Sequence, residues 1–137
     1  MSKAIFPSQL VLIVEDDQLL KMLTTDIVEE AGFVALSAEN ADEAVALLAA
    51  RSDIAMLLTD INMPGSMDGL ELAHMVRDRW PHIKIIVVSA HGEASSAVPA
   101  GSLFFHKPYK TEAMISAIDS LIDAGKPGSG GPVYLNV

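Results

Sequence analysis

The chain contains no cysteine, which excludes disulfides and thiolate metal sites together. Basic residues are scarce. Nine Lys and Arg stand against eighteen Asp and Glu, giving a formal charge of −9. A phosphate backbone attracts Lys and Arg, so this balance disfavours nucleic acid as a partner. It suits a cation, or a protein with a basic face. Long apolar runs are missing too: none approaches the roughly eighteen residues of a membrane span. The first residues, Met1 to Pro7, lack the apolar segment and small-residue cleavage site of a secretory peptide. These absences lead to the expectation of a cytoplasmic protein with no membrane partner. What is present argues for a folded one. Half of the 137 residues are apolar and 20% are charged, a composition that does not fit disorder. The length suits a single domain.

The apolar residues are arranged as an alternation. Leu10-Val11-Leu12-Ile13-Val14 is an unbroken run that stops at Glu15-Asp16-Asp17, as a strand covered on both faces would. Leu20, Leu23, Ile27 and Ala31 then recur at helical spacing, with Asp17 placed to cap the helix and Gly32 to end it. A short strand at 33–37 precedes a second helix with Asn40 as its cap, Glu43 in capping-box position, and Ala41, Val45 and Leu48 inward. Residues 54–59 form a third strand ending at Asp60, followed by a Pro/Gly loop and a helix over 67–79 that Pro81 stops. Residues 83–88 form a fourth strand ending at Ser89. The stretch 91–98 permits only a short helix before Pro99 and Gly101. Leu103-Phe104-Phe105 is the fifth strand, and Thr111 is placed to cap a last helix carrying Met114, Ile118, Leu121 and Ile122. The seven Met residues read as core filler.

Strands alternating with helical segments imply right-handed crossovers and an open parallel α/β sheet. The domain is expected over 8–124. Residues 125–137 begin with linker composition and form a Gly/Pro-rich tail. Its Val133-Tyr134-Leu135 either adds a strand to a sheet edge or belongs to a mobile terminus.

Ligands of open α/β sheets bind beyond the carboxyl ends of the strands. Here those ends carry Glu15-Asp16-Asp17, Asp60, Ser89 and Lys107-Pro108. Each has an ordinary explanation on its own. An acidic triplet caps the following helix, an Asp before Pro and Gly makes a turn, and Ser caps a helix. Lys107 alone is a solvated lysine. Four such positions on four different strands are a stronger signal. Carboxylates crowded into one crevice repel unless a cation neutralises them, and an all-oxygen set calls for a hard ion, Mg²⁺ above all. A lysine and a hydroxyl facing the same metal are what a phosphoryl group requires.

At these residues the chain resembles the response-regulator receiver domain of two-component signalling. The resemblance rests on Val11-Leu12-Ile13-Val14-Glu15-Asp16-Asp17, Leu58-Thr59-Asp60-Ile61-Asn62-Met63-Pro64-Gly65, Met67-Asp68-Gly69-Leu70-Glu71-Leu72, Val87-Val88-Ser89-Ala90 and Phe105-His106-Lys107-Pro108-Tyr109, in that order. It implies a flavodoxin-like, doubly wound (βα)5 fold with strand order 2-1-3-4-5. It makes Asp60 the acceptor of a phosphoryl group from a histidine kinase or phosphotransfer protein. Glu15, Asp16 and Asp60 would hold Mg²⁺, or Mn²⁺ in its place, with the backbone carbonyl of Asn62. Lys107 would contact the phosphoryl group, and Pro108 would follow a cis bond. Ser89 and Phe104 would be the switch pair, and Asn62 and His91 lie where the lifetime of the phosphoryl group is tuned. The remaining histidines, His74, His82 and His106, are expected as surface residues.

Departures from the family pattern are equally legible. Ser stands where Thr is commoner at the switch, and Phe104 lacks a hydroxyl. The loop after Asp60 carries an extra residue around Gly65-Ser66, and the span from Ser89 to Lys107 is about one helical turn short, so the fourth helix is expected to be truncated. The resemblance implies a signalling module that catalyses only its own phosphorylation and dephosphorylation. With one domain in 137 residues, the expectation is a receiver without an output domain, acting on a downstream protein as a monomer or a phosphorylation-dependent homodimer. Two other readings use related chemistry or a related sheet. A haloacid-dehalogenase-like Mg²⁺-dependent phosphohydrolase would carry its nucleophile after the first strand, with a second Asp two residues on; here the Asp follows the third, and position 62 is Asn. A flavodoxin-like redox protein would need a first loop that does not repel a flavin phosphate.

Overall fold

A computed structural model describes residues 10–124. The ends of the expected domain at 8 and 9, and the tail at 125–137 with its Val133-Tyr134-Leu135 segment, lie outside the described residues. In chain order the elements are β1 (Leu10–Val14), α1 (Gln18–Glu30), β2 (Val34–Ala38), α2 (Ala41–Ala50), β3 (Ile54–Asp60), α3 (Gly69–Arg79), β4 (Lys84–Ser89), a 3₁₀ segment (Gly92–Ala97), β5 (Leu103–His106) and α4 (Thr111–Ala124). The strands are all parallel and form one sheet in the order β2-β1-β3-β4-β5. β1 and β3 therefore lie side by side at its centre.

Period-two alternation divides the strand residues between two layers. Leu12, Val14, Leu57, Ile85 and Val87 pack under α2 and α3, with Ala41, Leu48, Leu72 and Val76. Val11, Ile13, Met56, Leu58 and Ile86 pack under α1 and α4, with Val28, Met114 and Ile118. This is why the strands read as continuous apolar runs: every β1 residue is buried.

Most helix ends follow from local chemistry. Asp17 accepts from the Leu20 amide at 3.0 Å, and Asn40 accepts from Glu43 at 2.8 Å. The Glu43 carboxylate does not close the expected box on Asn40; it takes the Glu39 amide, one residue earlier, at 2.7 Å. A complete capping box stands on α3, where Asp68 and Glu71 bond each other's amides at 2.9 Å. Gly32 follows the Ala31 C-cap with φ +96°, the left-handed conformation that suits glycine. Thr111 is not a cap: α4 includes it, and the first return bond runs from the Met114 amide to the Lys110 carbonyl at 3.1 Å.

Other expectations are corrected, while the expected truncation of the fourth helix is met. The strand expected at 33–37 occupies Val34–Ala38. The fourth connection contains a 3₁₀ segment and no α-helix, because Pro99 and Gly101 leave too few residues for one. The α1 stripe is only partly inward. Ile27 and Ala31 pack partly buried against the core, whereas Leu20 and Leu23 are exposed, and so are Leu19 and Met22; the helix's buried residue, Val28, lies outside the stripe. Met22 is thus no core filler, although Met56 and Met114 are fully buried.

Candidate functional site

The carboxyl ends of β1, β3 and β4 and the loop after β5 converge on one cleft of about 730 Å³, whose walls include Glu15, Asp60, Ala90 and Lys107. Asp60, the last residue of β3, is held at both carboxylate oxygens. Oδ1 accepts from the Ile61 amide at 2.8 Å, and Oδ2 meets Lys107 Nζ at 3.1 Å. The Lys107 amide in turn donates to the Ser89 carbonyl at 2.8 Å, which fixes the lysine's root against β4. The Lys107–Pro108 peptide is cis, as the resemblance implies.

Glu15 is the buried acid of the group, 7% exposed. Its backbone is tied to β2 through the Ala38 carbonyl, and its carboxylate accepts from the Asp17 amide at 3.1 Å. Burial pushes the Glu15 carboxyl above its ordinary value; the Asp17 amide opposes that, and the neighbouring charge of Asp60 adds to it. A buried acid beside a second carboxylate is a site short of positive charge. Lys107 supplies part of it.

The expected residues are not all gathered in one cage. Among the described residues, no three His, Asp or Glu side chains stand ready as metal ligands. Asp60 is turned onto the ammonium of Lys107, and Asp16 is exposed at the rim, close enough for its charge to act on Glu15. Asn62 is also exposed. The donor set still fits a hard divalent cation: only oxygen ligands are offered, and the carboxylates raise one another's need for positive charge.

The two residues expected as a switch pair lie on the next two strands, Ser89 on β4 and Phe104 on β5. Ser89 ends β4, is 1% exposed, and its hydroxyl oxygen accepts the His91 amide at 3.0 Å. Asp60 pairs with Val88 in the sheet, so Ser89 lies one residue beyond that register. Phe104 is half-buried and packs against the layer holding α3, together with Ala94 and Val98. His91 is exposed at the start of the connection.

Sequence reasoning assigned Gly69 no role, yet the site depends on it. Its amide donates to the Ile61 carbonyl at 2.8 Å, and a Cβ there would meet the backbone of Asp60 and Ile61, 2.8 Å from Ile61 Cα. Only glycine lets α3 start this close to the end of β3. The available signal was a glycine at the first helical position, directly after a capping Asp. The extra loop residue is anchored as well: Gly65 has φ +115°, and the Ser66 hydroxyl donates to Asp42 Oδ1 at 2.7 Å. His74 and His106 are exposed as expected. His74 nevertheless has a defined partner, the Ala97 carbonyl, 2.7 Å from Nε2.

Comparison with known proteins agrees with this geometry. Residues 11–119 match the family described as the response regulator receiver domain. The chain is similar to the response regulator protein FleR of Pseudomonas aeruginosa, 32% identical over 91% of this chain and 27% of that protein. It is also similar to the DNA-binding transcriptional regulator NtrC of Salmonella typhimurium, 31% identical over 82% of this chain and 24% of that one. The chain therefore spans about a quarter of the length of these curated relatives. Among solved structures, it resembles the response regulator TrrA of Thermotoga maritima in complex with Mg²⁺ and BeF, with a TM-score of 0.72 and 25% identity, covering 82% of this chain and 97% of that one.

Proposed function

The chain belongs to the response-regulator receiver domain family, and from that premise we propose that it accepts a phosphoryl group on Asp60 and changes partner when it does. The donor is a histidine kinase or a phosphotransfer protein. The observation that carries it is the double fixation of Asp60, by the Ile61 amide on one oxygen and by Lys107 at 3.1 Å on the other. A carboxylate so held presents an oriented nucleophile at the mouth of the cleft.

In the proposed step an Asp60 oxygen attacks phosphorus. A P–O bond forms as the P–N bond to the donor imidazole breaks, and the electron pair goes to that nitrogen. Glu15, Asp16, Asp60 and the Asn62 carbonyl would hold Mg²⁺, with Mn²⁺ as a substitute. When bound, the ion neutralises the carboxylates and the phosphoryl oxygens. Lys107, paired with Asp60 here, is within reach to take up charge on the new phosphoryl group. The Ser89 hydroxyl has a proton to donate to it, and Phe104, packed against the same core layer as Ala94 and Val98, follows the movement of that region. Asn62 and His91, both exposed at the rim, suit control of the attacking water and hence of phosphoryl lifetime.

A protein donor is favoured by α1. Leu19 and Met22 are each 63% exposed, Leu23 50% and Leu20 36%, an apolar patch that reaches the cleft wall. The proposed location is the cytoplasm; among the described residues, no helix is long and apolar enough to cross a membrane. Neither the position of Asp60 on β3 nor the matching family supports the phosphohydrolase alternative. The test is labelling by a small phosphodonor. Wild type should label with Mg²⁺ and not with EDTA, and Asp60→Asn should not label. Undiminished labelling of Asp60→Asn would sink the assignment.

A further inference from the structure

The first half of α1 is located by polar contacts more than by packing. Val28 is the buried residue of the helix, and Leu19, Leu20, Met22 and Leu23 before it are all exposed. Lys21 is the exception among residues 18–23, with a side chain only 13% exposed. Its ammonium reaches Glu39 Oε2 at 3.2 Å, and Gln18 Nε2 donates to the same oxygen at 3.3 Å. Residues three apart on a helix share a face, which is why both find one acceptor. Glu39 is itself placed, since its amide donates to Glu43 Oε1 of α2 at 2.7 Å. A helix that buries little apolar surface at its start is thus gripped by the connection after β2.

The grip acts on the loop that carries the acids. Only Glu15, Asp16 and Asp17 join β1 to α1, so where the helix starts decides where they stand. At the β1 end, the Glu15 amide donates to the Ala38 carbonyl at 3.1 Å, next to Glu39. At the helix end, Asp17 accepts from the Leu20 amide at 3.0 Å and donates its own amide to the Glu15 carboxylate at 3.1 Å. Asp16 lies between these two anchored residues, exposed at the rim.

We infer that Lys21 and Gln18, by gripping Glu39, act as positioning residues for Glu15 and Asp16 and raise the affinity of the cleft for Mg²⁺. The inference deepens the proposed function and rests on its reading of these two acids as metal ligands. It carries a sign that bare charge does not. Lys21 is a cation near an acidic cleft, so through-space repulsion alone would let Mg²⁺ bind more tightly once that charge is removed. The same reasoning would weaken Mg²⁺ when Glu39 is neutralised. Loss of positioning weakens it in both cases.

Titration of the full chain with Mg²⁺, followed by amide NMR shifts, separates the two. Lys21→Met and Glu39→Gln should each weaken binding about 5-fold, the scale of one hydrogen bond. The double variant should also lose about 5-fold and not about 25-fold, because either substitution alone already breaks the contact. Lys21→Arg keeps a cation for Glu39 and should stay within about 2-fold of wild type. Tighter binding in Lys21→Met, or unchanged binding in both single variants, would overturn the inference. Without metal, amide hydrogen exchange at Asp17 and Leu20 should quicken in both single variants and hold at Ala31, at the packed end of the helix. Unchanged exchange at Asp17 and Leu20 would overturn the grip. A failure of the metal reading looks different: wild type would show no Mg²⁺-dependent shift near Asp16 and Asp60, while the metal-free arm would still decide the grip.

Discussion

At the end of β3, Asp60 is positioned by its own strand, by the following amide at 2.8 Å, and by a helix that starts against its backbone. At the end of β4, Ser89 is more deeply buried than Asp60, but the connection that follows contains a short 3₁₀ segment that a side chain of α3 reaches. The first arrangement is anchored by sheet and helix geometry. In the second, the Ser89 hydroxyl oxygen accepts the His91 amide and keeps its own proton for another partner. An acceptor must be fixed before its substrate arrives, whereas a switch must be bistable. The two strand ends lie side by side in the sheet, and the difference between them lies in what fastens the chain after the strand.

The comparison can be broken in several ways. Lys107→Ala removes the charge that faces Asp60, and the labelling rate from a small phosphodonor should fall about 100-fold. An unchanged rate would mean that the 3.1 Å pair only balances charge at rest. Gly69→Ala forces α3 away from the Asp60 backbone and should cost about 1–3 kcal/mol, read as a lower urea midpoint at constant m-value. A neutral result would show that the acceptor end is more yielding than its contacts imply. Leu20→Ser with Leu23→Ser removes apolar surface that is already exposed. Stability should change by less than about 0.5 kcal/mol, and labelling by a small donor should be unchanged, while transfer from a protein donor falls. Equal loss with both donors would place these leucines in the acceptor site instead. Smallest of all is Arg51→Ala. Arg51 and Asp53 form a bidentate pair at 2.8–2.9 Å, and Arg51 holds the Asp53 carboxyl below its ordinary value. A depressed carboxylate stabilises above its ordinary range and loses that contribution as pH falls through the folded value. Both partners are exposed, so solvent screening should leave thermal melting at neutral pH unchanged.

The sequence made the acceptor end legible because its parts are local. Buried strands read as apolar runs, and the residue that stops each run is the one facing the cleft: Glu15, Asp60, Ser89. Asp17 and Asn40 were readable as caps, since a cap bonds an amide three residues on. The errors were local too. Glu43 had two amides within reach and took that of Glu39, and Thr111 entered the helix it was expected to cap. The need for Gly69 was not readable, because the backbone that excludes a side chain there belongs to another element. The same holds for His74 and Ala97, whose contact depends on how α3 lies against a connection with no regular pattern. The outward leucines of α1 keep helical spacing, and spacing cannot say whether a partner covers them.

The central claim is that Asp60 is the one preformed acceptor of this chain. Its most direct test is mass-spectrometric mapping of the phosphoryl group after treatment with a small phosphodonor. The account predicts a single phosphoryl group per chain, on Asp60, absent in EDTA. A label on any other residue, or one formed equally well without a divalent cation, would contradict it.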